Sequence, residues 1–259
     1  MALPALLLPL TLEPSRSALF LDFDGTLSTI VDDPVAARPL PGVPDLLTRL
    51  AARVGLVAVI SGRPTAFLTE ALSAPAGVTL VGLYGLELDV AGTGAGRWRE
   101  VIDQVVVEAI AEAPDGIYVE PKGLTVTMHW RHAPEARPWV TSFAARQGEA
   151  RGLRVHPGRM ELELRPPLDV DKGTVVRALA GRRAGGLRAA AVFGDDMGDL
   201  PAFQAIGELA AESAGRMSVV RVAVVDHESP PEVAARADLV VEGAAGAVAL
   251  LEELAQSVG

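Results

Sequence analysis

The apolar run Ala18-Leu-Phe-Leu21 ends abruptly in two carboxylates, Asp22 and Asp24, followed at once by Gly25 and Thr26. Leu19 to Leu21 read as the end of a strand covered on both faces, which points to a parallel sheet wrapped by helices. Acids at the carboxyl end of such a strand stand where open α/β sheets bind ligands. Their i, i+2 spacing points both side chains to one side, with Cβ atoms roughly 7 Å apart in an extended chain, close enough to share a metal ion or a phosphoryl group. Asp-x-Asp-Gly is also an ordinary turn, so this segment alone leaves turn and site open.

Strand and helix patterns alternate along the front of the chain: strand 18–22, helix 43–53, strand 55–60, helix 64–73, strand 78–83. The back resumes with helix 172–181, strand 188–193, helix 198–207, strands 219–225 and 238–241, and helix 245–256. Front and back therefore read as one α/β core, a Rossmann-like parallel sheet over residues 1–98 and 168–259. Between them, after a glycine-rich connector from Gly92 to Gly96, the pattern becomes helix 101–112, strands 117–121 and 124–131, helix 134–150, and strands 153–156 and 160–165. Tight hairpins are expected at Lys122-Gly123 and Pro157-Gly158, which makes residues 99–167 an inserted antiparallel α+β domain. Alternation gives its sheet a dry face, with Leu124, Val126, Met128, Trp130, Leu162 and Leu164, and a polar face. The polar face carries Tyr118, Glu120, Lys122, Thr125, Thr127, His129, Arg131, Glu161, Glu163 and Arg165.

A chain of 259 residues buries an ample core without staples. The absence of cysteine excludes disulfides, thiol nucleophiles and thiolate metal sites, and the four histidines show no zinc spacing. A net charge of −10 disfavours nucleic acid as a partner but permits a small anion in a locally positive pocket. No stretch offers the ~20 uninterrupted apolar residues of a membrane span. The apolar start, Ala2 to Leu12, carries two prolines and no basic leader, and reads as an ordered terminus. A cytoplasmic monomer is the expectation. Of 23 basic residues only Lys122 and Lys172 are lysine, and both precede glycine. A lysine is a compact point charge, not exchangeable with a planar guanidinium in a tight anion pocket.

Three further strand ends carry polar groups. Val57 to Ile60 leads into Ser61-Gly62-Arg63-Pro64 and a helix, a ready phosphate cradle or a plain N-cap. Lys172 opens a helix after Asp171, a cation opposing the helix dipole unless an anion lies nearby. Ala189 to Phe193 runs into Gly194-Asp-Asp-Met-Gly-Asp199, three acids that suit a hard divalent cation better than they suit a stable loop.

Together, Asp22-x-Asp24-Gly-Thr, Ser61-Gly-Arg, Asp171-Lys-Gly and Gly194-Asp-Asp-x-x-Asp199 resemble the four signatures of the haloacid dehalogenase superfamily. Gly82-Leu-Tyr-Gly-Leu-Glu87, Glu120-Pro-Lys-Gly123, His129-Trp-Arg131 and Glu163-Leu-Arg-Pro166 are similar to trehalose-6-phosphate phosphatases, which commonly carry histidine at the place of Tyr84. The resemblance implies magnesium-dependent hydrolysis of a small phosphorylated disaccharide through an aspartyl-phosphate. Asp22 would be the nucleophile and Asp24 the proton shuttle. Ser61 and Lys172 would hold the phosphoryl oxygens, with Gly62 and Arg63 beside them. Magnesium would be held by Asp22, the Asp24 main-chain carbonyl and Asp195, with Asp196 and Asp199 in support. The insertion would act as a cap presenting Glu120, Lys122, Glu163 and Arg131, with His129 as a further candidate, to sugar hydroxyls. A phosphatase for another sugar or glycosyl phosphate, such as sucrose phosphate or mannosyl-phosphoglycerate, and a non-catalytic phosphosugar sensor both stay open at this point.

Overall fold

The structure is a computed structural model that describes residues 3–31, 36–88, 94–158, 160–183, 186–227 and 229–259. It divides into two compact units, Met1–Gly85 with Val170–Gly259, and Leu86–Asp169. Among the described residues, the first unit holds strands β1 (Ser17–Leu21), β2 (Leu56–Ile60) and β3 (Val78–Val81), then β8 (Ala189–Gly194), β9 (Ser218–Val225) and β10 (Leu239–Glu242). Its helices are α1 (Pro9–Leu12), α2 (Val43–Ala51), α3 (Thr65–Ala71), α6 (Lys172–Gly181), α7 (Leu200–Glu212), α8 (Pro231–Ala235) and α9 (Gly243–Ser257). The second unit holds α4 (Arg99–Glu112), β4 (Tyr118–Pro121), β5 (Val126–His129), α5 (Arg137–Arg151), β6 (Arg154–Gly158) and β7 (Glu161–Arg165).

All six strands of the first unit run parallel in the order β10-β9-β8-β1-β2-β3. From β1 the chain winds outward through β2 and β3, then restarts on the other side at β8. That reversal opens a crevice between the carboxyl ends of β1 and β8, where open α/β sheets place their ligands. The main-chain N–H of Asp22 donates to Phe193 O at 3.0 Å, so the two strand exits remain laced together where the acids begin.

Every residue of β1 is buried, as a two-faced central strand requires. On α2 the spacing i, i+3, i+4, i+7 buries Val43, Leu46, Leu47 and Leu50 in the same core as Leu250, Leu251 and Leu254 of α9. Above that seam Arg49 donates to both oxygens of Glu252 at 2.6 and 2.7 Å, a half-exposed pair contributing about 0–1 kcal/mol. The first dozen residues also have a place in this core. Leu7 and Leu10 are fully buried in it, each contributing about 1.5–3 kcal/mol, and the Ser17 hydroxyl lies 3.1 Å from both Leu10 O and Glu13 O.

Most sequence-predicted elements are present with ends moved by one or two residues. The expected helix 198–207 runs on to Glu212 as α7, after a separate 3-10 turn at Met197–Asp199. Helix α8 was not anticipated, because five residues are too few to display a period.

In the second unit β4-β5-β7-β6 form an antiparallel sheet. Its dry face, Val126, Met128, Leu162 and Leu164, packs on Ile102, Val105 and Ala109 of α4 and Val140, Phe143 and Ala144 of α5. The hairpin at Lys122-Gly123 forms, closed by Lys122 N–H donating to Thr125 O at 3.0 Å. The one expected at Pro157-Gly158 moves: Gly158 is a ladder partner of Glu161, and the reversal comes later, with Met160 at φ +56°. Pairing of Pro157 with Leu162 keeps the ladder going past the proline, so the dipeptide that signals a turn is strand here. The expected strand 124–131 is ladder-paired only over Val126–His129. Gly92 and Thr93 of the connector lie outside the described residues; Gly94 leads into a 3-10 turn, Ala95–Trp98, and α4 follows. Among the described residues no helix is long and apolar enough to cross a membrane.

Candidate active site

Four chain segments meet at the crevice of the first unit. β1 delivers Asp22, β8 delivers Asp195, the 3-10 turn after β8 brings Asp199, and α6 begins with Lys172. Lys172 Nζ lies 2.7 Å from Asp22 Oδ1 and 2.7 Å from Asp199 Oδ1, with the ammonium almost fully buried. Carboxylate oxygens of Asp22, Asp195 and Asp199 all lie within 4.8 Å of one another. The other oxygen of Asp199 accepts from the N–H groups of Asp195 and Asp196 at 3.0 and 3.2 Å. Asp199 is thereby committed to the ammonium and the backbone, while Asp196 caps the turn by accepting from Gly198 N–H at 2.8 Å. Asp171 is the N-cap of α6, accepting from Thr174 N–H at 2.8 Å. The anion that offsets Lys172 at this helix start therefore includes Asp22 and Asp199, beyond the cap itself.

This cluster carries more negative charge than one ammonium balances. Burial, followed by the nearby Asp196 and Asp24 charges, raises Asp22 to about 6 against the pull of Lys172. Burial and mutual repulsion hold Asp195 and Asp199 well above the usual carboxylate range. Burial alone would lower Lys172, but Asp199, Asp22 and Asp196 outweigh it and raise it well above its ordinary value. Crowded, hard oxygen donors left short of positive charge fit a divalent cation, whose presence would favour their ionised forms.

Gly25 makes the crowding possible. Its φ is +75°, and a Cβ there would lie 2.1 Å from Asp195 Oδ2. Gly25→Ala is expected to lower stability by about 1–3 kcal/mol, from backbone strain and a displaced acid, read as a fall in melting temperature of several degrees.

Across the crevice, Arg63 Nε and Nη2 donate to the two oxygens of Asp24, both at 2.8 Å. The guanidinium also lies 4.8 Å from the centre of the Phe67 ring. The structure thus places Arg63 on Asp24, fixing the orientation of that carboxylate. Ser61 is buried; its hydroxyl accepts from Arg63 N–H at 3.1 Å, and helix α3 starts after Pro64 with no side-chain cap. Tyr84 is a residue that sequence reasoning met only as a departure from a pattern. Leu83 and Tyr84 both have positive φ, 48° and 57°, and their N–H groups donate to Arg63 O at 3.0 Å and Ser61 O at 2.9 Å. The Tyr84 ring lies so close over Gly62 that a Cβ there would come within 2.4 Å of its hydroxyl, which explains the glycine.

In the second unit the polar sheet face is a network. Glu120 Oε2 is 3.4 Å from Lys122 Nζ and 2.9 Å from His129 Nε2, and His129 Nδ1 is 3.0 Å from Glu161 Oε2. Glu163 accepts from the Thr125 hydroxyl at 2.6 Å and from Arg165 Nε at 2.7 Å. Arg131 follows β5, partly buried. Sequence alternation put these groups on one face, but not which would touch; cross-strand register did that. Thr127 Oγ1, opposite both Glu120 and Glu163, is buried with no hydrogen-bond partner among the described residues.

Comparison with known proteins agrees with this architecture. Residues 20–240 match the trehalose-phosphatase family. A trehalose-phosphate phosphatase of Mycobacterium avium is 41% identical over 202 residues, covering 73% of this chain and 51% of that protein. The chain spans about half the length of the curated relatives it matches. The C-terminal domain of a C. albicans trehalose-6-phosphate phosphatase shares the fold, with a TM-score of 0.77 at 23% identity over 100% of this chain and 99% of that one. A haloacid dehalogenase-like hydrolase from Bacteroides thetaiotaomicron also shares it, with a TM-score of 0.55 at 15% identity over 92% of this chain and 99% of that one. A Rossmann-like core with the acid-lysine crevice, together with the family match over residues 20–240, identifies the chain as a member of the trehalose-phosphatase family.

Proposed function

We propose that this chain hydrolyses trehalose 6-phosphate to trehalose and inorganic phosphate. The observation that carries the reading is the buried Asp22 carboxylate, held 2.7 Å from the Lys172 ammonium at the exit of the central strand. A phosphate monoester is among the slowest substrates to hydrolyse unaided, so a nucleophile, an acid and charge neutralisation must act together. An Asp22 oxygen attacks phosphorus, the P–O bond to the sugar breaks, and Asp24 delivers a proton to the departing sugar oxygen. Water then attacks the aspartyl-phosphate, giving its proton to Asp24 and releasing phosphate and free Asp22. The Arg63 fork keeps Asp24 aimed through both steps, and the Lys172 ammonium reduces repulsion between Asp22 and the incoming dianion. Ser61 and Gly62 line the phosphoryl side. A divalent cation, magnesium in this reading, would be held by Asp22, the Asp24 carbonyl and Asp195 and would neutralise the transferring phosphoryl group.

In the same reading the second unit supplies the sugar contacts, from Glu120, Lys122, Glu163 and Arg131, with the unpartnered Thr127 hydroxyl available to a sugar oxygen. Charged groups recognise a polyol through charge-assisted hydrogen bonds. Loss of one such contact costs about 1.5–3 kcal/mol. Glu120→Ala or Lys122→Ala should therefore lower kcat/KM on trehalose 6-phosphate by about tenfold to a hundredfold, while sparing p-nitrophenyl phosphate. Equal loss on both substrates would remove these residues from sugar recognition. The primary test is phosphate release from a panel of sugar phosphates with and without magnesium. Preference for another sugar phosphate would overturn the substrate, and release from none would overturn the enzymatic reading.

A further inference from the structure

A neutral imidazole carries one N–H and one lone pair, whereas an ionised carboxylate only accepts. Both ring nitrogens of His129 face carboxylate oxygens, Glu120 Oε2 at 2.9 Å and Glu161 Oε2 at 3.0 Å. Both contacts are satisfied at once only when both nitrogens carry protons. The surroundings hold the ring in this position. His129 is opposite Tyr118 on β4 and Glu161 on β7, and the Tyr118 ring stacks on it with centroids 5.5 Å apart and planes 27° from parallel. Only 13% of the histidine side chain is exposed.

We infer that His129 is a positioning residue, a doubly donating clamp between Glu120 and Glu161 that holds the Glu120 carboxylate in place for the sugar and so sets affinity for the disaccharide. This rests on the reading of Glu120 as a sugar contact, and it gives His129 a different part from a direct contact with the substrate. The groups facing the ring on this sheet are Tyr118, Glu120 and Lys122 from β4, Glu161, Glu163 and Arg165 from β7, and Thr127 and Arg131 on its own strand side. Of these, Glu120 and Glu161 hydrogen-bond to it and Tyr118 stacks on it. Burial alone would lower the histidine pKa, but the bonds to the two glutamates outweigh it and raise it above 6.5. The clamp's contribution to stability is accordingly complete below pH 6.5 and is lost as pH rises through the raised value. Above that value one of the two carboxylates faces a ring lone pair in place of a donor, so the ring no longer ties Glu120 to Glu161 and Glu120 depends on its other contacts, Lys122 among them.

Two measurements test this. In the first, ¹⁵N NMR of the histidine rings in the whole chain at pH 7.0 should show His129, assigned by its loss in His129→Gln, with both nitrogens protonated. A neutral single tautomer at that pH would overturn the clamp, whatever the substrate proves to be. In the second, KM for trehalose 6-phosphate should rise by about tenfold between pH 7 and pH 9, with kcat following the same profile as for p-nitrophenyl phosphate. In His129→Gln, KM should already be high at pH 7 and should not respond to pH. A rise in KM that persists unchanged in His129→Gln would assign the pH effect elsewhere and overturn the proposal. If trehalose 6-phosphate is not a substrate, the proposed activity fails, and the ring spectra still decide the clamp separately.

Discussion

Asp22→Asn is expected to cut turnover of trehalose 6-phosphate by about 10⁴-fold or more while leaving the fold intact, because an amide oxygen cannot form the aspartyl-phosphate. Its second effect is on stability, and it is not a loss. Asp22 is raised to about 6 from 3.8, so the folded chain binds its proton more tightly than the unfolded one. Stability of the cation-free protein therefore falls as pH rises from about 4 to about 6, and at pH 7 the ionised carboxylate is a cost. The neutral asparagine removes that cost and keeps an acceptor for Lys172. Asp22→Asn should therefore melt at or above the wild-type temperature in chelator at pH 7. Near-normal turnover would remove Asp22 as nucleophile; a large drop in melting temperature would remove the electrostatic account of the crevice.

Lys172→Met should lose activity to a similar extent and should also destabilise the chain. Without the ammonium, Asp22 and Asp199 lose their contacts at 2.7 Å and stay buried with Asp195. Breaking a buried pair by removing one partner costs about 3–5 kcal/mol. The loss should be largest near pH 8, where the acids must stay ionised or take up protons against the solution, and should shrink toward pH 5 as they protonate. Denaturant unfolding of variant and wild type at both pH values, in chelator, reads the difference. A variant as stable as wild type at pH 8 would show that the acids do not depend on this cation. The two substitutions thus pull stability in opposite directions while both remove activity, an outcome that a generally damaged site would not produce.

Much of the fold was legible because its signals are local. The run Ala18 to Leu21 says buried parallel strand, and Leu46, Leu47 and Leu50 give the inward stripe of α2. The strand-end motifs were legible for the same reason: in a parallel sheet every carboxyl end lies on one rim, so Asp22 and Asp195 had to be neighbours once β1 and β8 paired. Other features left no local trace. The packing of Leu7 and Leu10 into the main core depends on a surface supplied by distant strands and helices, and α8 is too short for periodicity to register. Pro157-Gly158 reads as a turn in isolation, yet its pairing partners keep it in the ladder.

The sequence alone determined most of the elements, the dry and polar faces of the inserted sheet, and the acids and lysine at the strand ends, since each follows from residue type and spacing along a short stretch of chain. Only the tertiary structure decided that Arg63 grips Asp24, that Asp199 is consumed by Lys172 and two main-chain N–H groups, and that His129 bridges two glutamates. Those are choices among partners far apart in the chain, made by strand order, cross-strand register and the scarcity of positive charge in a buried site, and no local pattern encodes them.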